Sequence, residues 1–182
     1  SYGPYKVTLQ SGAPPSEGGL AGGIYAAEAG EKVSLSKKPD YNAFVPLNDE
    51  GNRGYLYTAW EDRPAGLSQL ELERNDTSSE WTVMGGKMLN LSSINGGWVF
   101  CFGSMSPWGS PLFSEELYFD NTEAWNDESF RYHADQTKLE RYLGHYPNPY
   151  DYGYIVEVEN ATTSEPNLTK HVAMGRFSHE NA

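Results

Sequence analysis

The chain has 182 residues, a formal net charge of -12 and a sequence pI of about 4.7. That balance excludes a nucleic-acid binder, because phosphate contacts need clustered Lys and Arg and no basic stripe occurs. The single cysteine excludes an internal disulfide, and no apolar run approaches the ~20 residues that a bilayer-crossing helix needs.

Aromatic residues make up 14% of the chain, beside 19 Gly and 11 Pro, a mixture that favours short strands and turns over long helices. The first 31 residues, dominated by Gly, Pro, Ala and Ser, predict a loop-rich entry with at most one short strand. From Lys32 onward period-2 alternation takes over, at Val33 and Leu35, then through DYNAFVPL to a turn at Asn48-Asp49-Glu50-Gly51, then through GYLYTAW. Leu67, Leu70 and Leu72 continue it to a turn at Asn75-Asp76-Thr77-Ser78, and EWTVMGGKM follows. Five or six strands thus precede WVFCFG, at the spacing of a sandwich, barrel or propeller.

Residues 134–143 differ. Leu139, Tyr142 and Leu143 stand at helical spacing, Lys138, Glu140 and Arg141 lie on the other face, and Gly144 is a stop signal, which together predict one short helix. YIVEVE reads as a strand, NATTSEPNLT as a loop, and KHVAMGRF as a last strand leading into SHENA. Such an ending, with His179 and Glu180 at the terminus, reads as a cut inside a motif.

The candidate chemistry lies in GGWVFCFGSMSPWGSPLFSEELYFDN, residues 96–121. Cys101 is a thiolate ligand for iron or zinc on one reading and a small buried hydrophobe on the other. Glu115 and Glu116 follow a Pro/Gly turn that can hold carboxylates around a cation; as strand neighbours, only one of them faces inward. Glu61 closes a strand beside Asp62 and is a peripheral metal candidate. Trp108 either packs under its turn or walls a substrate pocket. His179, beside Glu180, is a further candidate contact. The four histidines show no zinc-protease spacing, and neither a phosphate-binding loop nor a nucleophile elbow is present. Four Asn-x-Ser/Thr sequons, at Asn75, Asn90, Asn160 and Asn167, are glycan sites if the chain is a eukaryotic secretory protein.

CFGSMSPWGSPLFSEE resembles the central signature of the PhoX-type alkaline phosphatases, in which a Cys, a Gly-containing turn, T/S-P-W-G-T/S and a Glu-Glu pair recur. YGYIVEVENATTSEPNLTKHVAMGRFSHENA is similar to that family's next signature, a Y-G-Y/W-hydrophobic-V-E strand closed by G-R-F-x-H-E. The resemblance spans roughly residues 55–182. It implies an all-β fold, a β-propeller, and a secreted, periplasmic or extracellular enzyme that cleaves small-molecule phosphate monoesters with calcium and iron. By matching motif it makes Cys101 an iron ligand and Glu116 and Glu180 metal-binding carboxylates, with Glu115 beside them.

Blades of ~40 to 50 residues allow this chain three or four, an incomplete ring within a single partial domain over residues 1–182. The rest of the ring is then a further partner, as a second chain or a C-terminal part, and the open ring on its own is aggregation-prone. The alternative function is a non-catalytic propeller serving as a structural or binding subunit of an extracellular or membrane-associated assembly.

Overall fold

The structure, a computed structural model, describes residues 7–14, 19–117 and 122–180. It is mostly β. Strands β1 (Gly23–Tyr25) and β2 (Lys32–Leu35) form a small antiparallel pair. Strands β3 (Pro39–Pro46), β4 (Arg53–Trp60), β5 (Gly66–Arg74) and β6 (Trp81–Met88) form one four-stranded antiparallel sheet in chain order. Strands β7 (Phe100–Met105), β8 (Pro111–Glu115), β9 (Ile155–Glu159) and β10 (Asn167–Lys170) form a second sheet with the same up-and-down order.

The alternation in the sequence is what closes these sheets over a core. Tyr57, Ala59 and Leu67 of the first sheet and Phe100, Phe113, Val156 and Val158 of the second are fully buried in one cluster. Strands β3 and β4 pack against β7. At that contact Gly103 has no side chain because there is no room for one: a Cβ there would collide with the Tyr41 ring and the Leu112 carbonyl oxygen. Farther out the Tyr57 hydroxyl donates to Ala161 O at 2.8 Å, and Gln69 Nε2 donates to Thr163 O at 2.8 Å, tying the first sheet to the β9–β10 loop.

Helix α1 (His133–Leu143) buries Leu139, Tyr142 and Leu143 and ends at Gly144, whose φ of 76° completes a left-handed cap. It begins one residue before the expected start. An aromatic cluster fills the space near it: Trp98 lies 5.1 Å from Trp125 and 6.2 Å from Tyr152, ring centre to ring centre. Such pairs each add about 0.5–1.5 kcal/mol beyond the area they bury.

The last strand departs from the sequence reading. KHVAMGRF is not a strand; β10 is Asn167–Lys170, and Val172–Met174 forms a single 3-10 turn closed at Gly175. The reason is register: Asn167 pairs with Glu159 and Lys170 with Val156, so β9 spends its free edge on the end of the expected loop. The loop-rich entry and the SHENA ending fall partly on residues 1–6, 15–18, 181 and 182, outside the described residues, as does the 118–121 end of the central stretch.

Candidate functional site

Each sheet begins with the same irregularity. In β3, Asp40 and Tyr41 are squeezed between the pairs Pro39–Trp60 and Asn42–Thr58, so two residues oppose one. In β7, Cys101 and Phe102 are squeezed between Phe100–Glu115 and Gly103–Phe113. Both are β-bulges, which re-aim a side chain that regular alternation would direct elsewhere. The correspondence extends to the partner strands: Glu61 immediately follows β4 and its N–H donates to Lys38 O at 2.9 Å, while Glu116 immediately follows β8 and its N–H donates to Val99 O at 2.9 Å. Tyr41 and Phe102 bring the two bulges together, with ring centres 5.7 Å apart.

The fold therefore delivers four donors to one end of two packed sheets: Asp40 and Cys101 from the bulges, Glu61 and Glu116 from the strand ends. Their charges are felt mutually. Burial pushes the Cys101 thiol up to about 12, helped by the Glu116 carboxylate, to which the thiol hydrogen-bonds, and then by Asp40 and Glu61. Partial burial and Glu116 raise the Asp40 carboxyl. Burial likewise raises Glu61, with Asp40 and Glu116 adding to the rise and Lys38 and Arg63 opposing it. Three carboxylates and a thiol held near one another at an energetic cost are chemically suited to a cation, soft at the sulfur and hard at the oxygens. Among the described residues, no group of three or more His, Cys, Asp or Glu side chains is arranged to hold a metal ion in this conformation.

Glu115 has a different environment. Its side chain is fully buried, and Lys170 Nζ lies 3.0 Å from its Oε1. The Trp98 N–H also donates to Oε1, at 3.0 Å, while the Gly153 and Tyr154 N–H groups donate to Oε2 at 2.9 and 3.1 Å. Burial raises the Glu115 carboxyl and lowers the Lys170 ammonium, while the pairing opposes both shifts. Its two oxygens are thus engaged by the protein on the inward face, as expected for one member of the pair.

The closing motif lies against the same strand end. His179 N–H donates to Glu115 O at 3.0 Å, which lays residues 177–180 beside the end of β8, with Glu180 exposed there. His179 itself is buried, its ring centre 3.7 Å from that of Phe177 and its Nε2 3.2 Å from Gly175 O. Trp108 does not pack under its turn. It is 66% exposed, and its indole N–H donates to Glu157 Oε1 at 2.6 Å, because the Pro107–Gly109 turn projects beyond the sheet.

Glu157 was not among the residues expected to matter. It is buried, and His171 Nε2 lies 2.6 Å from its Oε2. Burial alone would raise its carboxyl, but hydrogen bonds from Trp108, His171 and Ser110 hold it below the ordinary value. A depressed carboxylate stabilises the fold above its unfolded pKa of about 4.3, and that contribution disappears as pH falls through the folded value. Glu157→Gln is expected to cost about 1–3 kcal/mol at neutral pH. Unfolding titrations across acid pH should show the deficit shrinking towards zero below that range.

Asp40 was also missed, since a single Asp after a proline carries no period. A carboxylate immediately after the second strand of each hairpin, at Glu61 and Glu116, is the signal that pairs the two sheets.

The raised thiol has its own test. In metal-stripped protein, Cys101 thiolate absorbance should rise with a midpoint near 12, against about 8.5 for a free cysteine. Glu116→Gln should move that midpoint down.

No curated protein and no solved structure matches the chain at a significant level. A family model does, described as alkaline phosphatase PhoX, over residues 87–182, just over half of the chain. Cys101, Trp108, Glu115, Glu116, His179 and Glu180 lie inside the matched region, and Asp40 and Glu61 before it. The chain belongs to the alkaline phosphatase PhoX family.

Proposed function

We propose that this chain forms part of a metal-dependent phosphate-monoester hydrolase whose ions are held at the Asp40, Glu61, Cys101 and Glu116 end of the two sheets, with Glu180 beside them. The observation that carries this reading is the delivery of the Cys101 thiol and the Asp40, Glu61 and Glu116 carboxylates to one end of two sheets at matching positions, with the thiol, Asp40 and Glu61 raised by burial and by their neighbours. Iron suits Cys101 and calcium suits the carboxylates. Bound ions would supply positive charge to the phosphoryl oxygens of a small ester.

The residues of the chain itself do the rest. The Cys101 thiol, hydrogen-bonded to the Glu116 carboxylate without a metal, would give up its proton to solvent on binding iron. Lys38 and Arg63 oppose the crowded negative charge at Glu61. Two successive four-stranded antiparallel meanders, whose leading strands β3 and β7 contact each other, support the reading as neighbouring propeller blades. Family membership supports a site of action outside the cytoplasm.

The second reading, a non-catalytic propeller acting as a structural subunit, draws on the absence of a tight three-donor group among the described residues. The two separate in one experiment on the native protein: iron and calcium content by elemental analysis, with phosphate release from p-nitrophenyl phosphate. Both metals and chelator-sensitive hydrolysis are expected. Metals without hydrolysis give the second reading, and hydrolysis that survives complete metal removal overturns the first.

A further inference from the structure

Two arginines from different parts of the fold share one aromatic ring. The Arg63 guanidinium carbon lies 4.3 Å from the centre of the Tyr132 ring, and the Arg131 guanidinium carbon lies 4.4 Å from it. Arg63 stands in the β4–β5 turn just after Glu61, and Asp62 O in that turn accepts the Val99 N–H at 3.0 Å, which ties the turn to the entry of β7. Arg131 stands in the segment that joins the end of β8 to the start of β9. The registers Trp60–Gly66 and Ser114–Ile155 put those strand ends at the same end of their sheets as the metal donors, so both arginines are brought beside them.

The shared ring is a fixed platform. Tyr132 is buried, with the Trp98 ring centre 6.3 Å away and that of Phe130 5.4 Å away, both edge-on, and Arg63 also lies 5.8 Å from the centre of Trp98. A guanidinium that lays its face on a ring keeps its N–H groups at the edge, in a fork that matches anionic oxygens. Arg131 is exposed and makes no hydrogen bond or ion pair among the described residues. Carboxylates close to it in the chain are engaged elsewhere: Asp127 Oδ1 accepts from the Ser129 N–H at 2.8 Å, and Asp135 Oδ1 accepts from Lys138 Nζ at 2.7 Å. Two like charges on one ring repel, and in a chain of net charge -12 no described carboxylate pairs with Arg131 to offset them.

Resting on the phosphatase reading, we propose that Arg63 and Arg131 form a subsite for a second anionic oxygen group, a carboxylate or a further phosphate, on the substrate whose phosphoryl group goes to the donors. The subsite stands beside the donors and not among them: Arg63 opposes the rise at Glu61, but its influence there is smaller than those of Lys38, Asp40 and Glu116. Ions at the donors take the phosphoryl oxygens, while the guanidinium edges meet the far end of the leaving group. The substrate class is then phosphate monoesters of acidic alcohols.

The test measures binding to the native protein by calorimetry, with alkylphosphonates, which lack the scissile ester bond. A series of increasing chain length is compared in methyl-ended, carboxylate-ended and phosphonate-ended forms, so the spacing between the two sites need not be known beforehand and the two anionic groups are read apart. At the matching length an anionic end should improve binding about tenfold over the methyl end. Arg131→Gln, at an exposed residue, should abolish that gain, Arg63→Gln should do the same, and Arg131→Lys should retain part of it. No gain from either anionic end at any length, or a gain that survives in Arg131→Gln, overturns the proposal. Hydrolysis of p-nitrophenyl phosphate is read separately: hydrolysis without the anionic gain sinks the subsite alone, and the gain without hydrolysis sinks the phosphatase reading alone.

Discussion

Lys170→Met is expected to destabilise the fold by about 3–5 kcal/mol, the cost of leaving a buried charge without its partner. The stranded group is Glu115, fully buried and 3.0 Å from Lys170 Nζ. Lys170 has further anchors, since Nζ donates to Asp151 O at 2.7 Å and lies 4.7 Å from the centre of the Tyr152 ring. Replacing both partners by apolar residues often rescues a buried ion pair, but here it should not. Glu115 also accepts from the Trp98, Gly153 and Tyr154 N–H groups, and an apolar residue would leave all three without an acceptor. The combination of Glu115→Gln with Lys170→Met keeps an acceptor and removes both charges, so it should recover much of the loss while Glu115→Leu with Lys170→Met does not. Chemical denaturation of the three variants beside the unsubstituted protein checks the order.

Cys101→Ser is expected to remove iron from the protein and to lower phosphate-ester hydrolysis about 100-fold or more, the kinetic equivalent of losing several kcal/mol of metal-borne charge stabilisation. A hydroxyl is a far poorer ligand than a thiolate, whereas the change in volume is small and Cys101 is only half-buried, so stability should change little. Glu116→Gln should weaken metal retention as well, yet it frees the thiol to ionise at lower pH. The pair of variants thus separates the two contributions: iron content falls in both, and only Glu116→Gln shifts the thiol titration.

Much of the sheet structure was legible from the alternation of residue types: the Tyr55–Ala59 run and the Leu67–Leu72 run reappear as β4 and β5. The helix was legible from Leu139, Tyr142 and Leu143, and its end from Gly144. The final strand was misplaced because Asn167–Lys170 carries a single apolar residue, Leu168, and owes its conformation to β9 rather than to its own pattern. The site was legible only in part. Cys101 and Glu116 stand in a motif, and Glu61 ends an alternating run, but a bulge is a one-residue slip in pairing and leaves no mark on composition. Asp40 is positioned by such a slip, as is Cys101, so the equivalence of the two could be seen only in the register of their partners. Likewise Glu157, spaced like any strand residue, is distinguished only by the Trp108 and His171 groups that other loops bring to it.

The glycine at position 103 sets the scale of this whole arrangement. Each sheet closes through pairings between successive strands, but Asp40 and Glu61 come to the same end of the molecule as Cys101 and Glu116 only where the sheets dock, and that docking is limited where the β7 backbone meets the Tyr41 ring. Tyr41 is the residue next to Asp40, and Gly103 lies two positions after Cys101. A single methyl group at residue 103 would act as a shim, holding the two bulges apart and widening every gap between donors of the first sheet and donors of the second. The spacing between the two bulges is therefore set by a residue with no functional group at all.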